Sequence, residues 1–122
     1  MTVSLYDRLG GYDALAMFAT QVVERAQKHD ELARFWLNRN EDTNARDLQS
    51  LIDFLVNSTG GQMYYRGRDM ALAHKGMGIT SNDWKCFIGI VVGVAGEMGV
   101  GEAEGSEVMR FLDTLKDDIV SA

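Results

Sequence analysis

No proline interrupts the 122 residues, and no window alternates polar and apolar side chains with period two, whereas apolar residues recur at helical spacing along almost the whole chain. A chain patterned in this way is confined to helices. Leu15, Phe18, Ala19, Val22 and Ala26 share one helical face, which predicts a long first helix whose other face carries Gln21, Glu24, Arg25 and Lys28. A short second helix is expected from Asp30 to Trp36, followed by a polar loop from Leu37 to Asn44 that ends in good N-cap residues. The next helix, with Asp47, Leu51, Phe54, Leu55 and Ser58 on one face, should run to Ser58 and stop at Gly60-Gly61. Thr80-Ser81-Asn82-Asp83 resembles a capping box shortened from Glu to Asp, and it opens a helix striped by Trp84, Phe87, Ile88, Val91 and Ala95. A glycine-rich break from Gly99 to Gly105 precedes a last helix striped by Val108, Phe111, Leu112, Leu115 and Ile119. The two C-terminal helices are expected to pack antiparallel. The reading is an all-α fold in a single domain over residues 1–122, a length that can bury a core without covalent staples.

The single Cys86 excludes an internal disulfide and any multi-cysteine metal site, and it fits a reduced thiol, buried among apolar neighbours, in a cytoplasmic protein. The N-terminus shows no basic segment followed by an apolar one, so no signal peptide is expected. The longest apolar run, Phe87 to Ala95, is far too short for a membrane span, which takes about 20 residues. A formal charge of -6 without a basic face argues against nucleic acid as a partner.

Chemistry concentrates between Gly60 and Thr80, about twenty residues of weak helical regularity. Met63, Tyr64, Tyr65, Arg66, Arg68, Met70 and His74 suit the wall and rim of a pocket for a large, flat, amphipathic ligand. In a helical turn, the Nδ1–H of His74 can donate to the carbonyl of Met70, four residues earlier, and leave Nε2 as a metal ligand. One protein ligand cannot hold a bare ion, but it can hold an iron already coordinated by four porphyrin nitrogens. Taken alone, His74 reads more readily as an ordinary satisfied or exposed histidine than as a ligand. Phe18, Phe54, Trp84 and Phe111 fit a core more readily than a cofactor pocket. Gly89, Gly93 and Gly96 share a helical face and suggest close helix contact or room for a gas channel. Acidic groups such as Asp53, Asp117-Asp118 and those from Glu102 to Glu107 read as solvated helix surface rather than catalytic pairs.

The segments Ser4-Leu5-Tyr6-Asp7-Arg8-Leu9-Gly10-Gly11, Leu32-Ala33-Arg34-Phe35-Trp36, Ile52-Asp53-Phe54-Leu55, Tyr65-Arg66-Gly67-Arg68-Asp69-Met70 and Ala73-His74-Lys75-Gly76-Met77-Gly78-Ile79-Thr80, closed by Asp117-Asp118-Ile119-Val120, resemble group I (N-type) truncated haemoglobins over nearly the whole chain. The resemblance implies a globin-like two-on-two helical sandwich around haem b, with His74 as the proximal ligand to iron. It further implies that Phe35 and Trp36 pack on the haem and that Leu51, Phe54 and Leu55 form the distal helix face. Tyr65, Arg68 and Lys75 would lie near the propionates, and Met70, Met77, Ile79, Trp84 and Ile88 along the proximal and lower edge. Many group I members carry a tyrosine on the first long helix; aligning Arg25 and Leu32 puts Val23, or one residue earlier Val22, at that place. Distal-helix positions fall at Asp47, Ser50 and Leu51, with Gln49 as an alternative. Without a hydroxyl at Val22 or Val23, the resemblance implies weak retention of oxygen and less discrimination among diatomic gases.

The implied function is reversible binding of a diatomic gas, as in oxygen binding or transport. Two alternatives are a nitric oxide dioxygenase-type haem enzyme served by an external reductase, and a haem-based sensor or interaction module. The implied assembly is a monomer or weak homodimer.

Overall fold

The computed structural model describes residues 4–37, 39–61, 74 and 77–120. Every regular element among them is helical. Helix α1 (Leu5–Arg8) is a single turn capped by Ser4, whose hydroxyl accepts the amide of Asp7 at 3.1 Å. Gly10 and Gly11, at φ 106° and 80°, turn the chain through a left-handed conformation into α2 (Gly11–Lys28). A single turn of 3-10 helix (Ala33–Trp36) follows, then α3 (Glu41–Ser58), α4 (Ser81–Glu97) and α5 (Glu102–Ile119).

Several boundaries differ from the sequence expectation, for local reasons. The helix expected from Asp30 to Trp36 shrinks to the 3-10 turn, because residues 29–32 are taken up by tight turns in which the amide of Glu31 donates to Nδ1 of His29. Helix α3 begins inside the expected polar loop, since it is Asn40 that accepts the amide of Thr43 at 2.8 Å. Helix α5 starts at Glu102, so Gly105 lies inside it, its amide bonded to the carbonyl of Gly101 at 2.8 Å. The capping box before α4 forms as expected: Thr80 accepts the amide of Asp83, and the Asp83 carboxylate accepts the amide of Thr80.

Two apolar clusters organise the packing. Leu15 and Ala19 of α2 meet Ile52, Leu55 and Val56 of α3. Val22, one turn further along α2, meets Trp84, Val91 and Val94 of α4 and Leu112 of α5. Helix α2 is therefore common to both halves, and Phe18 touches both clusters. At the end of α3, Thr59 donates its hydroxyl to Leu55 at 2.7 Å and its carbonyl accepts the amide of Tyr6 at 2.8 Å. Gly61 makes the approach of α1 possible, because a Cβ there would lie 2.5 Å from Val56 and 2.8 Å from Tyr6. Arg8 ties α1 to α5 through Glu107 and Glu104, at 2.5 and 3.6 Å.

Among the described residues, the glycine face of α4 makes no close helix contact. A Cβ at Gly89 or Gly96 would meet none of the described residues within 4 Å, and at Gly93 it would meet the guanidinium of Arg25, at 3.7 Å. Cys86 is half-buried rather than fully buried. No helix among the described residues is long and apolar enough to cross a membrane.

Candidate functional site

Between the two halves lies a cavity of about 700 Å³, within the roughly 300–1,000 Å³ range of small-molecule sites. Each long helix contributes to its wall. Ala14, Phe18, Ala19 and Val22 come from α2, while Leu51, Phe54 and Leu55 come from α3. Trp84, Phe87 and Val91 come from α4, and Val108, Phe111 and Leu112 from α5. The helical period that makes these elements also makes the cavity, because residues three and four apart present one continuous apolar face. Phe54 and Phe111 close part of the wall from opposite elements, their ring centroids 5.8 Å apart and tilted by 33°.

His74 is the one histidine among the described lining residues. It is half-buried in a helical conformation, and its carbonyl accepts the amide of Met77 at 3.3 Å. The ionisable groups that share the lining with it, Glu102 and Arg110, are solvent-exposed members of α5. Thr59 also lines the cavity, but its hydroxyl is committed to the carbonyl of Leu55. Among the described residues, no group of three His, Cys, Asp or Glu side chains is placed to hold a metal ion. A single imidazole in an apolar chamber of this size suits an iron that brings its own planar nitrogen ligands. Its donor set does not suit a bare cation.

The positions singled out in the sequence fall into three sets. His74, Val22, Leu51, Phe54, Leu55 and Trp84 line the cavity together. Phe35 and Trp36 sit half-buried on the 3-10 turn, Ile79 is buried, Ile88 packs on the cluster around Trp84, and Met77 is 40% exposed; none of these is among the described lining. Tyr65, Arg68, Met70 and Lys75 lie outside the described residues.

The polar distal candidates are turned elsewhere. Asp47 is exposed and pairs with Arg39, not with its neighbour Arg46. Gln49 donates to the Tyr12 hydroxyl at 3.1 Å and to Asp53 at 2.9 Å, and Ser50 is exposed. Val22 is 2% exposed and lines the cavity, whereas Val23 is half-buried and outside the described lining. Phe18, Phe87 and the whole α5 contribution were legible only as core stripes. The signal that separates wall from core is the abundance of aromatics on faces that converge without filling the space between them.

Asp83, in the first turn of α4, is buried and ionised. The Arg34 guanidinium, 2.5 Å away, holds its carboxyl below the usual carboxylate range against the opposing effect of burial, with the Thr80 amide and hydroxyl adding to the downward shift.

The sequence model of a family described as bacterial-like globin matches residues 4–121. A group 1 truncated hemoglobin of Tetrahymena thermophila is 24% identical over 115 residues, which are 94% of this chain and 93% of that protein. Another, from Mycolicibacterium paratuberculosis, is 26% identical over 118 residues, covering 97% of this chain and 85% of that one. The fold is that of the Fe(III) truncated hemoglobin from Tetrahymena pyriformis, with a TM-score of 0.88 at 23% identity over 98% of this chain and 100% of that one.

Proposed function

The chain belongs to the bacterial-like globin family, and on that premise we propose that it holds haem b in the central cavity, with His74 as the protein's ligand to iron, and binds a diatomic gas reversibly. The observation that carries the reading is the coincidence of one imidazole with an apolar chamber of about 700 Å³. When bound, the haem supplies the iron at which the gas is taken up and released. Leu51, Phe54, Leu55, Trp84 and Phe87, which line the cavity, would hold the apolar macrocycle and exclude water from it. By the resemblance, Phe35, Trp36, Met77, Ile79 and Ile88 would extend that apolar enclosure beyond the described lining, together with Met70, which lies outside the described residues. By the resemblance, Tyr65, Arg68 and Lys75, outside the described residues, would provide the hydroxyl and cationic donors that propionate carboxylates require. Val22 and Leu51 present no hydrogen-bond donor, so they exclude solvent without favouring a polarised ligand over a neutral one. We place the protein in the cytoplasm, consistent with its single thiol.

The test is the absorption spectrum of haem-loaded protein in its ferric, ferrous and carbon monoxide forms, for the native chain and His74→Ala. A Soret band whose ferrous form changes on loss of the imidazole is expected. An identical ferrous spectrum in His74→Ala would remove His74 from the iron.

A further inference from the structure

Among the described residues, Arg34 is the one cation that reaches the buried Asp83 carboxylate in the first turn of α4. Its side chain is 44% exposed, yet its guanidinium is engaged three ways: with the carbonyl of Glu31, with the Asp83 carboxylate at 2.5 Å, and over the Phe35 ring at 4.3 Å. The same carboxylate oxygen of Asp83 that receives Arg34 also accepts the amide of Thr80 at 2.9 Å. Thr80 is the last residue of the short segment that leaves His74. Ile79 is buried, Gly78 takes a left-handed φ of 68°, and the amide of Met77 donates to the carbonyl of His74 at 3.3 Å. These contacts form a continuous tie from the 3-10 turn after α2 to the backbone that carries the imidazole.

A capping box alone closes a helix with two reciprocal hydrogen bonds between exposed groups. Here the acid of the box is 2% exposed and carries a guanidinium from an element 49 residues away in sequence, which is more than a helix start requires. With one arm of its guanidinium on the Glu31 carbonyl and the other on the Asp83 carboxylate, Arg34 anchors that buried carboxylate to the 3-10 turn, and through it the Thr80 amide.

We propose that Arg34 is a positioning residue for His74: by holding Asp83 it fixes residues 77–80 and so the direction in which the imidazole enters the cavity. The role rests on His74 being the ligand to iron. Arg34 does not touch the cofactor's site, and it acts as partners behind a ligating histidine do, by restricting the ligand's orientation.

The experiment compares haem-loaded native protein with Arg34→Gln, Asp83→Asn and Arg34→Lys, with Arg39→Gln as a control that breaks the exposed pair to Asp47. The readouts are the ferrous iron–histidine stretching band in resonance Raman spectra, the rate of haem transfer to an acceptor globin, and hydrogen exchange of the Met77 and Thr80 amides in the haem-free chain. In Arg34→Gln and Asp83→Asn the band should shift or broaden, haem loss should rise about tenfold, at the lower end of what such partners are worth, and the two amides should exchange faster. Arg34→Lys, which keeps the charge without the fork, should fall between. An unchanged band with unchanged haem loss in Arg34→Gln, or an equal change in Arg39→Gln, would overturn the positioning role. A native protein that binds no haem would overturn the His74 reading itself, before any variant is compared.

Discussion

Leu51 stands on α3 where a hydrogen-bonding side chain would face the cavity, and its neighbours Asp47, Gln49 and Ser50 leave that place apolar. Replacing it with Gln adds an amide donor to the wall at nearly constant volume. One hydrogen bond of about 1 kcal/mol corresponds to about a fivefold slower oxygen dissociation, measured by stopped flow. An unchanged rate would show that the Leu51 position does not face the gas. The residue scale is also where the sequence was least explicit. His74 could be singled out because so few other side chains in its segment ligate metal. Whether Val22 or Val23 faces inward depends on one residue of register, about 100° of helix rotation, and packing against Trp84 and Leu112 places Val22 inward. Gln49 was ambiguous for a similar reason, since its partner Tyr12 lies 37 residues away and no local pattern announces the bond.

At the scale of the element, α4 is held at its start by a charge and left unpacked along its glycine face. The Asp83 carboxyl lies below its ordinary value of 3.8 in the folded chain, first because of Arg34. Its contribution to stability is therefore complete above that value and is lost as pH falls through the lower, folded value. Thermal melting of native protein and Asp83→Asn should differ at pH 6 and converge as the pH is taken below 3.8. The glycines lead to the opposite kind of prediction. Because a Cβ at Gly89 would meet none of the described residues within 4 Å, Gly89→Ala should raise stability by about 0.4–1 kcal/mol in urea unfolding, through the lost freedom of the unfolded chain. A destabilised variant would instead mean that the face is packed against something. The helices were legible because their stripes are long and their caps chemically distinct, as at Thr80 and Asp83. The open glycine face was not, because spacing reports which residues share a face and not what that face meets.

Across the whole molecule, α2 lends Leu15 and Ala19 to one cluster and Val22 to the other. Neither half can lose its packing while the other keeps a complete wall. Urea unfolding of the haem-free chain should accordingly follow one curve by far-ultraviolet dichroism and by the fluorescence of Trp36 and Trp84, which report on the 3-10 turn and on α4. Separate midpoints would mean that the halves melt independently.

The same sharing sets a dimension. Ala19 is wholly inaccessible to solvent and Val22 nearly so, and both border the cavity as well as the layers on either side. The girth of a single helix, kept narrow by these two side chains, thus acts as the spacer for the entire chamber. A bulkier residue at Ala19 would not merely fill a corner; it would push apart the two layers that meet on this helix and strain the Phe54–Phe111 contact between them.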